Sequence, residues 1–216
     1  MGDLIQTITV YALPVLFGIT LHEAAHGYVA RMLGDPTAWY AGRISLNPIR
    51  HIDPIGTIVV PLVLLFSTKL MGGGGLLFGW AKPVPVDWGR LRHPKRDMAW
   101  VAAAGPLSNL LMAIIWVIGL RLLVEGGAGP NDFWVRMAVA GVQVNLILMA
   151  LNLVPLPPLD GGRIVYSVLP NAMANQYARI EPYGILILIV LMMTGMLWFL
   201  LEPFLAFGRA IIDWFL

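Results

Sequence analysis

Residues 4–33 read LIQTITVYALPVLFGITLHEAAHGYVARML, and this stretch decides how the rest of the chain is interpreted. Its first eighteen residues carry no charge and are almost long enough for an α-helix to cross a bilayer. The stretch lacks the basic start and the small-residue cleavage site of a signal peptide, so we predict a retained first helix. The apolar pattern then breaks at HEAAH (22–26), where three ionisable side chains occur within five residues.

The composition of the whole chain indicates a membrane protein. Of its 216 residues, 58% are hydrophobic and 12% are charged, and the mean hydropathy is +0.77. A water-soluble domain carries about 25% charged residues. This composition excludes a disordered chain and a nucleic-acid-binding surface. The absence of cysteine excludes disulfides, thiol nucleophiles and cysteine-ligated zinc.

Further apolar runs predict more membrane helices. The clear spans are 98–124, 133–156 and 183–201. Residues 55–70 are short for a full crossing, and residues 203–216 either lie on the membrane surface or complete a sixth crossing. We therefore predict an all-α polytopic membrane protein, a bundle of about four to six transmembrane helices in contact with the lipid bilayer.

We expect this bundle to form a single integral-membrane domain over residues 1–216. Its core would lie at about 15–170, followed by C-terminal helices at 179–216. No polar stretch exceeds about twenty residues, far below the size of an independent domain. A separate water-soluble domain tethered by helices is therefore disfavoured, and no motif indicates an oligomeric state.

The HEAAH motif places two possible metal ligands on one helix face. His22 and His26 are four residues apart, so their imidazoles lie one turn apart and within about 40° of each other. Glu23 lies beside them, where a carboxylate can exchange protons with water and a leaving group. Ionisable groups are costly in a bilayer, so a functional site facing the bundle is favoured. The alternative is a helix end where these side chains form ordinary surface pairs.

A zinc site with two histidines needs a third protein ligand, here a histidine or a carboxylate. Most candidates lie in polar loops: His51, His93, Asp53, Asp87 and Asp97. Asp160 instead closes a long apolar span in NLVPLPPLDGG (152–162), whose prolines and glycines would break the helix and expose backbone to a cavity. We predict Asp160 as the third ligand. The alternative is that it caps the N-terminus of the following helix.

Three motifs together resemble the site-2 protease family of intramembrane zinc metalloproteases: HEAAH in a membrane helix, AAAGPLSNLL (102–111) and NLVPLPPLDGG (152–162). The resemblance implies that His22, His26 and Asp160 bind one Zn²⁺ per chain and that Glu23 is the general base. It implies that Asn152 hydrogen-bonds the substrate or the developing oxyanion. It also implies cleavage of single-span membrane-protein substrates inside the bilayer. We identify no segment resembling the PDZ or CBS domains of many family members.

The metal assignment constrains the topology. HEAAH and Asp160 both lie at the C-terminal ends of their spans, so the two spans must run in the same direction to share one ion. The segment 55–81 must then enter the membrane and return to its own side as a re-entrant hairpin. With this arrangement ten of the 14 basic residues lie on one side. The positive-inside tendency makes that side of the cell membrane cytosolic, with the active site toward it and the N-terminus outside.

The segment 78–86 is predicted to be extended, and two interpretations of it are compatible. It pairs with residues 43–46 as short β-strands between the first helix and the Gly-Pro helix. Alternatively, its free edge pairs with an unwound substrate. Pro83 and Pro85 alternate, so only one edge can recruit a partner fully.

Polar and special residues inside the spans are expected to serve helix packing. Asn109 and Asn145 are predicted partners across a helix interface, because such amides hold membrane helices together more often than they catalyse. Gly105 predicts close packing, and Pro106 predicts a bend at a helix start.

The rival to an intramembrane protease is a non-proteolytic metal-binding membrane protein, either a degenerate scaffold or a metal carrier. A transporter would need further ionisable residues along a path across the bilayer, which weakens that alternative. A soluble-type metallopeptidase tethered by helices is disfavoured, because it would need a polar domain to hold the site.

Overall fold

The computed structural model describes residues 2–59 and 81–216. Within this part of the chain the regular structure is helical, which confirms the predicted all-α class. The α-helices are α1 (Gly2–Met32), α2 (Thr37–Tyr40), α3 (Pro94–Glu125), α4 (Phe133–Leu153), α5 (Asp160–Val168), α6 (Asn171–Ala178), α7 (Gly184–Met193) and α8 (Met196–Ile212). Pro48–His51, Trp88–Arg90 and Glu181–Tyr183 form single 3₁₀ turns, and Pro54–Val59 forms a π-helical turn.

Four segments of the described chain are long and apolar enough to cross a membrane. They are Gln6–Met32, Pro94–Glu125, Phe133–Leu153 and Asn171–Met193. The count agrees with the predicted range, and the protein is a multi-pass membrane protein. The single span predicted at 183–201 is wrong, because α7 ends at Met193 and Gly195 adopts a left-handed conformation with φ of 73°. Residues 203–212 continue α8, which begins before them.

The outer face of α3 suits a lipid environment. Its exposed side chains are apolar and recur at helical spacing, with exposures between 42% and 64% for Leu107, Leu111, Ile115, Ile118 and Leu122. Lipid tails are as apolar as this surface, so no hydrophobic effect drives the helices together in the bilayer. Tight packing between the helices must therefore hold them together. Gly141 of α4 provides one such contact, because any Cβ there would collide with the Trp116 indole of α3.

A buried cluster joins α3, α4 and α8. It contains Ala113, Val117, Met149, Val154 and Leu205, all below 5% exposure. The helices α1, α3 and α4 also pack against one another, and α5 packs on α3. The region that includes HEAAH, the AAAGPLSN motif and Asp160 is therefore one packed unit.

The connection between α1 and α3 starts and ends at the same place. The Arg92 amide donates to the Leu33 carbonyl at 3.0 Å, so the chain leaves α1 and enters α3 side by side. This is the return to its own side that the topology argument requires. The re-entrant hairpin predicted within 55–81 falls mainly on residues 60–80, which lie outside the described residues.

The predicted short β-strands are wrong for the part of the chain that the structure describes, where neither 43–46 nor 81–86 forms a ladder. Residues 81–86 form no regular secondary structure, and Pro83 and Pro85 remove alternate N–H donors, which prevents regular pairing. Lys82 donates to the His51 carbonyl at 2.9 Å. The Arg43 side chain reaches the Lys82 carbonyl at 2.8 Å.

Buried Asp35 fixes the C-terminal end of the segment 81–86. Its Oδ2 accepts from the Asp87 amide at 2.7 Å and its Oδ1 accepts from the Thr37 amide at 2.9 Å. The side chain is fully buried, so these bonds are not exchanged with water. Asp35 thereby links the turn after α1 to the segment 81–86 and helps to hold that segment beside α1.

Candidate metal centre

Three side chains from distant parts of the chain meet at one point. His22 Nε2 lies 3.0 Å from His26 Nε2, and Asp160 Oδ2 lies 3.1 Å and 3.3 Å from these two atoms. The three side chains are only 9–11% exposed. The structure thus brings together the three residues predicted as metal ligands. Asp160 is the first residue of α5 and follows the N-cap residue Leu159, so the N-cap alternative for Asp160 is wrong.

Hydrogen bonds on the far side of each imidazole determine where its proton lies. His26 Nδ1 is 2.7 Å from the Val101 carbonyl, and His22 Nδ1 is 2.7 Å from Asn109 Oδ1. Both oxygens are acceptors, so each neutral imidazole donates from Nδ1. The lone pairs of both Nε2 atoms therefore point to the site, as in histidines that bind a metal.

The residues present fit a zinc ion. Two Nε2 lone pairs and a carboxylate oxygen converge, and Asp160 Oδ2 is buried without a hydrogen-bond donor among the described residues. Tetrahedral zinc with ligands at about 2.0–2.1 Å separates those ligands by about 3.3 Å, close to the observed spacings.

The helix α3 forms the wall behind the histidines. Val101, Gly105 and Asn109 follow one another at intervals of four residues and so lie on one face. A Cβ at Gly105 would stand 2.5 Å from His26 Nε2 and 2.6 Å from His22 Nε2, so only glycine fits. The prediction of close packing at Gly105 is confirmed. The bend predicted at a helix start is wrong, because α3 begins at Pro94 and Pro106 lies in its interior.

Asn109 contacts its predicted partner and also makes a second contact that sequence reasoning missed. Its Nδ2 donates to Asn145 Oδ1 at 3.1 Å, which confirms the interhelical pair. Its Oδ1 faces His22, a contact that the sequence analysis did not predict. The four-residue spacing of Val101, Gly105 and Asn109, matched by that of Gly18, His22 and His26 in α1, is the signal that could have revealed it.

Comparison with known proteins places the chain in a family. The sequence model of Peptidase family M50 matches residues 119–195. YwhC of Bacillus subtilis (strain 168), named as a candidate zinc metalloprotease, is 36% identical over 203 residues, covering 90% of this chain and 85% of its own. The chain belongs to peptidase family M50.

Two more distant relatives carry similar names. Rip2 of Mycolicibacterium smegmatis, a candidate zinc metalloprotease by name, is 29% identical over 186 residues, covering 85% of this chain and 67% of its own. MJ0611 of Methanocaldococcus jannaschii, similarly named, is 28% identical over 151 residues, covering 68% and 64%. No solved structure matches the chain significantly.

Membership of family M50 confirms the resemblance to the site-2 proteases and the predicted function, an intramembrane metalloprotease. The comparisons do not favour the rival interpretation as a non-proteolytic metal-binding membrane protein. Zinc is the predicted metal, and it is the metal that the relatives' names give for those proteins. The matched range 119–195 contains Asn152 and Asp160, and the similarity to YwhC extends over most of the chain.

In this M50 protein Glu23 stands at the edge of the metal centre. Its Oε2 accepts a hydrogen bond of 2.7 Å from the Val84 amide, the one N–H between Pro83 and Pro85. The segment 81–86 therefore contacts the predicted general base directly. This contact explains why residue 84 makes no ladder bond with another strand.

A cavity of about 300 Å³ opens over the three converging side chains. Its wall includes Glu23, Val84 and Asn152. The Asn152 Nδ2 donates to the Leu148 carbonyl at 3.0 Å, which leaves its second proton free of that bond. A second cavity of about 450 Å³ adjoins the first and shares Trp88, Pro158 and Arg163 with it.

Proposed function

We propose that this chain is a zinc metalloendopeptidase that cuts single-span membrane proteins within the bilayer. His22, His26 and Asp160 would hold one zinc ion, and Glu23 would act as the general base. The observation that carries the proposal is the meeting of three acceptor atoms at 3.0–3.3 Å in a buried site. Such a meeting is unfavourable unless a cation lies among them.

A zinc ion held there would supply Lewis acidity, polarising a carbonyl oxygen and making water easier to deprotonate. Glu23 accepts the proton from the attacking water and returns it to the leaving amine. The Val84 amide holds Oε2, so the proton is transferred through Oε1. This bond also fixes the orientation of the carboxylate in advance, so the Glu23 side chain does not have to be ordered during the reaction.

Asn152 is proposed to contact the substrate. It lies on the cavity wall, and one of its two amide protons is used by Leu148. The other proton can donate to the substrate backbone or to the oxyanion that develops on the attacked carbonyl. Asn152 would thus act on the substrate without binding the metal.

We propose that the segment 81–86 receives the substrate. A transmembrane helix hides its carbonyls in hydrogen bonds, so the substrate must unwind locally before attack. An unwound strand needs partners for its exposed backbone groups at membrane depth. The Val84 amide donates to Glu23, so this segment passes the proposed base, where its backbone could pair with such a strand, as in strand addition.

We propose that the chain forms one integral-membrane domain over 1–216 in the cell membrane, with the active site toward the cytosol and the N-terminus outside. The support is the basic side formed by Arg31, Arg43, Arg50, Lys82, Arg90, Arg92, Lys95, Arg96, Arg163 and Arg179. The opposite loop holds Arg121 and Arg136, offset by Glu125 and Asp132. The pairing of Leu33 with Arg92 is consistent with this arrangement.

The decisive experiment combines zinc analysis with cleavage of a panel of single-span reporter proteins. Glu23→Gln should retain one zinc per chain and lower turnover roughly 10²- to 10⁴-fold, because only the proton acceptor is lost. His22→Ala and Asp160→Ala should lose zinc as well as activity. Glu125→Gln, which alters an exposed carboxylate far from the site, is the matched control and should behave as wild type.

Each result separates the alternatives. Undiminished cleavage by the Glu23 variant would remove Glu23 as the base. Full zinc content in the His22 and Asp160 variants would refute the ligand set. Stoichiometric zinc without cleavage of any reporter would favour a metal-binding protein that is not a peptidase.

A further inference from the structure

Asn109 lies where three membrane helices meet. It belongs to α3, is fully buried, and its Nδ2 donates to the Gly18 carbonyl of α1 and to Asn145 Oδ1 of α4, each at 3.1 Å. Its Oδ1 lies 2.7 Å from Nδ1 of His22. One amide therefore uses both of its protons and at least one oxygen lone pair within the bundle.

This arrangement permits only one orientation of the Asn109 amide. If the amide were flipped, its oxygen would face two acceptors, the Gly18 carbonyl and Asn145 Oδ1. Asn145 cannot flip to compensate, because its own Nδ2 donates to the Gly141 carbonyl at 2.8 Å. The oxygen of Asn109 is thus directed at His22, where it can only accept.

Because Asn109 can only accept, His22 must carry its proton on Nδ1. Burial excludes water as a substitute partner, since Asn109 is 0% and His22 is 7% exposed. The Nε2 lone pair is left to point at His26 and Asp160. The amide therefore determines both the tautomer and the direction of the ring.

We propose that Asn109 is a positioning residue for the metal centre, and that its role goes beyond holding helices together. It orients His22 Nε2 toward the metal, while the Val101 carbonyl does the same for His26. The inference rests on the proposed role of His22 as a ligand. Asn145 is an indirect support, because the Gly18 carbonyl by itself maintains the amide orientation.

The two asparagines provide a matched pair of variants. Asn109→Leu and Asn145→Leu both remove the bond between Asn109 and Asn145, so both should lower thermal stability. Only Asn109→Leu removes the acceptor of His22. In a purely structural role, neither change would alter zinc affinity.

The test measures zinc affinity of purified, detergent-solubilised full chain by competition with a fluorescent chelator, with thermal unfolding recorded in parallel. We expect Asn109→Leu to weaken zinc binding about 10- to 100-fold. Asn145→Leu should stay within about 3-fold of wild type, since the His22 bond persists. If Asn109→Leu does not fold, Asn109→Ser should show at least a 10-fold loss.

Wild-type zinc affinity in the folded Asn109 variants would overturn the inference, as would an equal loss in Asn145→Leu. His22→Ala, measured in the same series, separates this failure from failure of the proposed function. If His22→Ala binds zinc normally, the ligand set itself is wrong. If His22→Ala loses zinc while the Asn109 variants keep it, only the positioning role of Asn109 is wrong.

Discussion

Gly105→Ala adds a single methyl group at the wall behind the metal centre. That carbon would stand 2.5 Å from His22 Cε1 and His26 Nε2, and 2.6 Å from His22 Nε2. Ordinary contacts require about 3.5 Å, so the rings or α3 must move by about 1 Å. Metal–ligand distances tolerate only about 0.2 Å of change. The substitution should therefore destroy zinc binding while leaving the bundle assembled.

The energetic balance supports a folded but metal-free variant. Alanine in a helix interior is favoured over glycine by roughly 0.5–1 kcal/mol, while overpacking costs about 1–3 kcal/mol. The net change in the free energy of unfolding is at most about 1–3 kcal/mol. The steric strain falls on the two imidazoles, which make the close contacts with the added methyl group. We expect zinc affinity to fall at least 100-fold, with helix content unchanged.

Gly119→Ala is the control, because it lies in the same helix and a Cβ there meets nothing within 4 Å. It should keep full zinc content and equal or greater thermal stability. Zinc is measured by elemental analysis of purified protein and helicity by circular dichroism. Full zinc content in Gly105→Ala would refute the geometry on which this reasoning depends.

Three further predictions follow from contacts around the site. Val84→Pro removes the N–H that holds Glu23 and should lower turnover about 10- to 100-fold with zinc content unchanged. Val84→Ala keeps this N–H and should cleave like wild type. Equal cleavage rates in the two variants would contradict the role of the Val84 amide. Asp35→Ala removes the buried acceptor of the Thr37 and Asp87 amides and should lower the free energy of unfolding by about 3 kcal/mol. Glu125→Ala, which breaks an exposed ion pair, should lower it by less than about 1 kcal/mol. Similar melting curves for the two variants would contradict the role of Asp35. Cysteines placed at 90–96 should react with impermeant reagents only from the cytosolic face, and labelling from outside would reverse the proposed orientation.

The convergence of the two histidines with Asp160 could be predicted because each step depends on local information. The four-residue spacing of HEAAH defines one helix face, and Asp160 is distinguished by its place at the end of an apolar span. The direction of the spans then followed from requiring one common site. Hydropathy likewise located the long helices, since a bilayer demands continuous apolar length.

Other features depended on contacts that a linear pattern does not contain. The role of Asn109 follows from the register between α1 and α3, which packing sets after both helices have formed. The strand prediction at 78–86 assumed that the backbone of this segment pairs with residues 43–46, but the Val84 amide, the one N–H between Pro83 and Pro85, donates to Glu23 instead. The break at Gly195 was missed because averaged hydropathy is insensitive to one left-handed residue.

The long separation in sequence between the two imidazoles and their carboxylate partner has a consequence for biosynthesis. Residues 22 and 26 enter the membrane early, while residue 160 follows only after α3 and α4 have been synthesised. A ribosome-bound chain that ends before residue 160 lacks the carboxylate and cannot complete the centre. With the metal ligands proposed above, the order of translation should therefore keep the nascent chain without activity until α3 and α4 have been made.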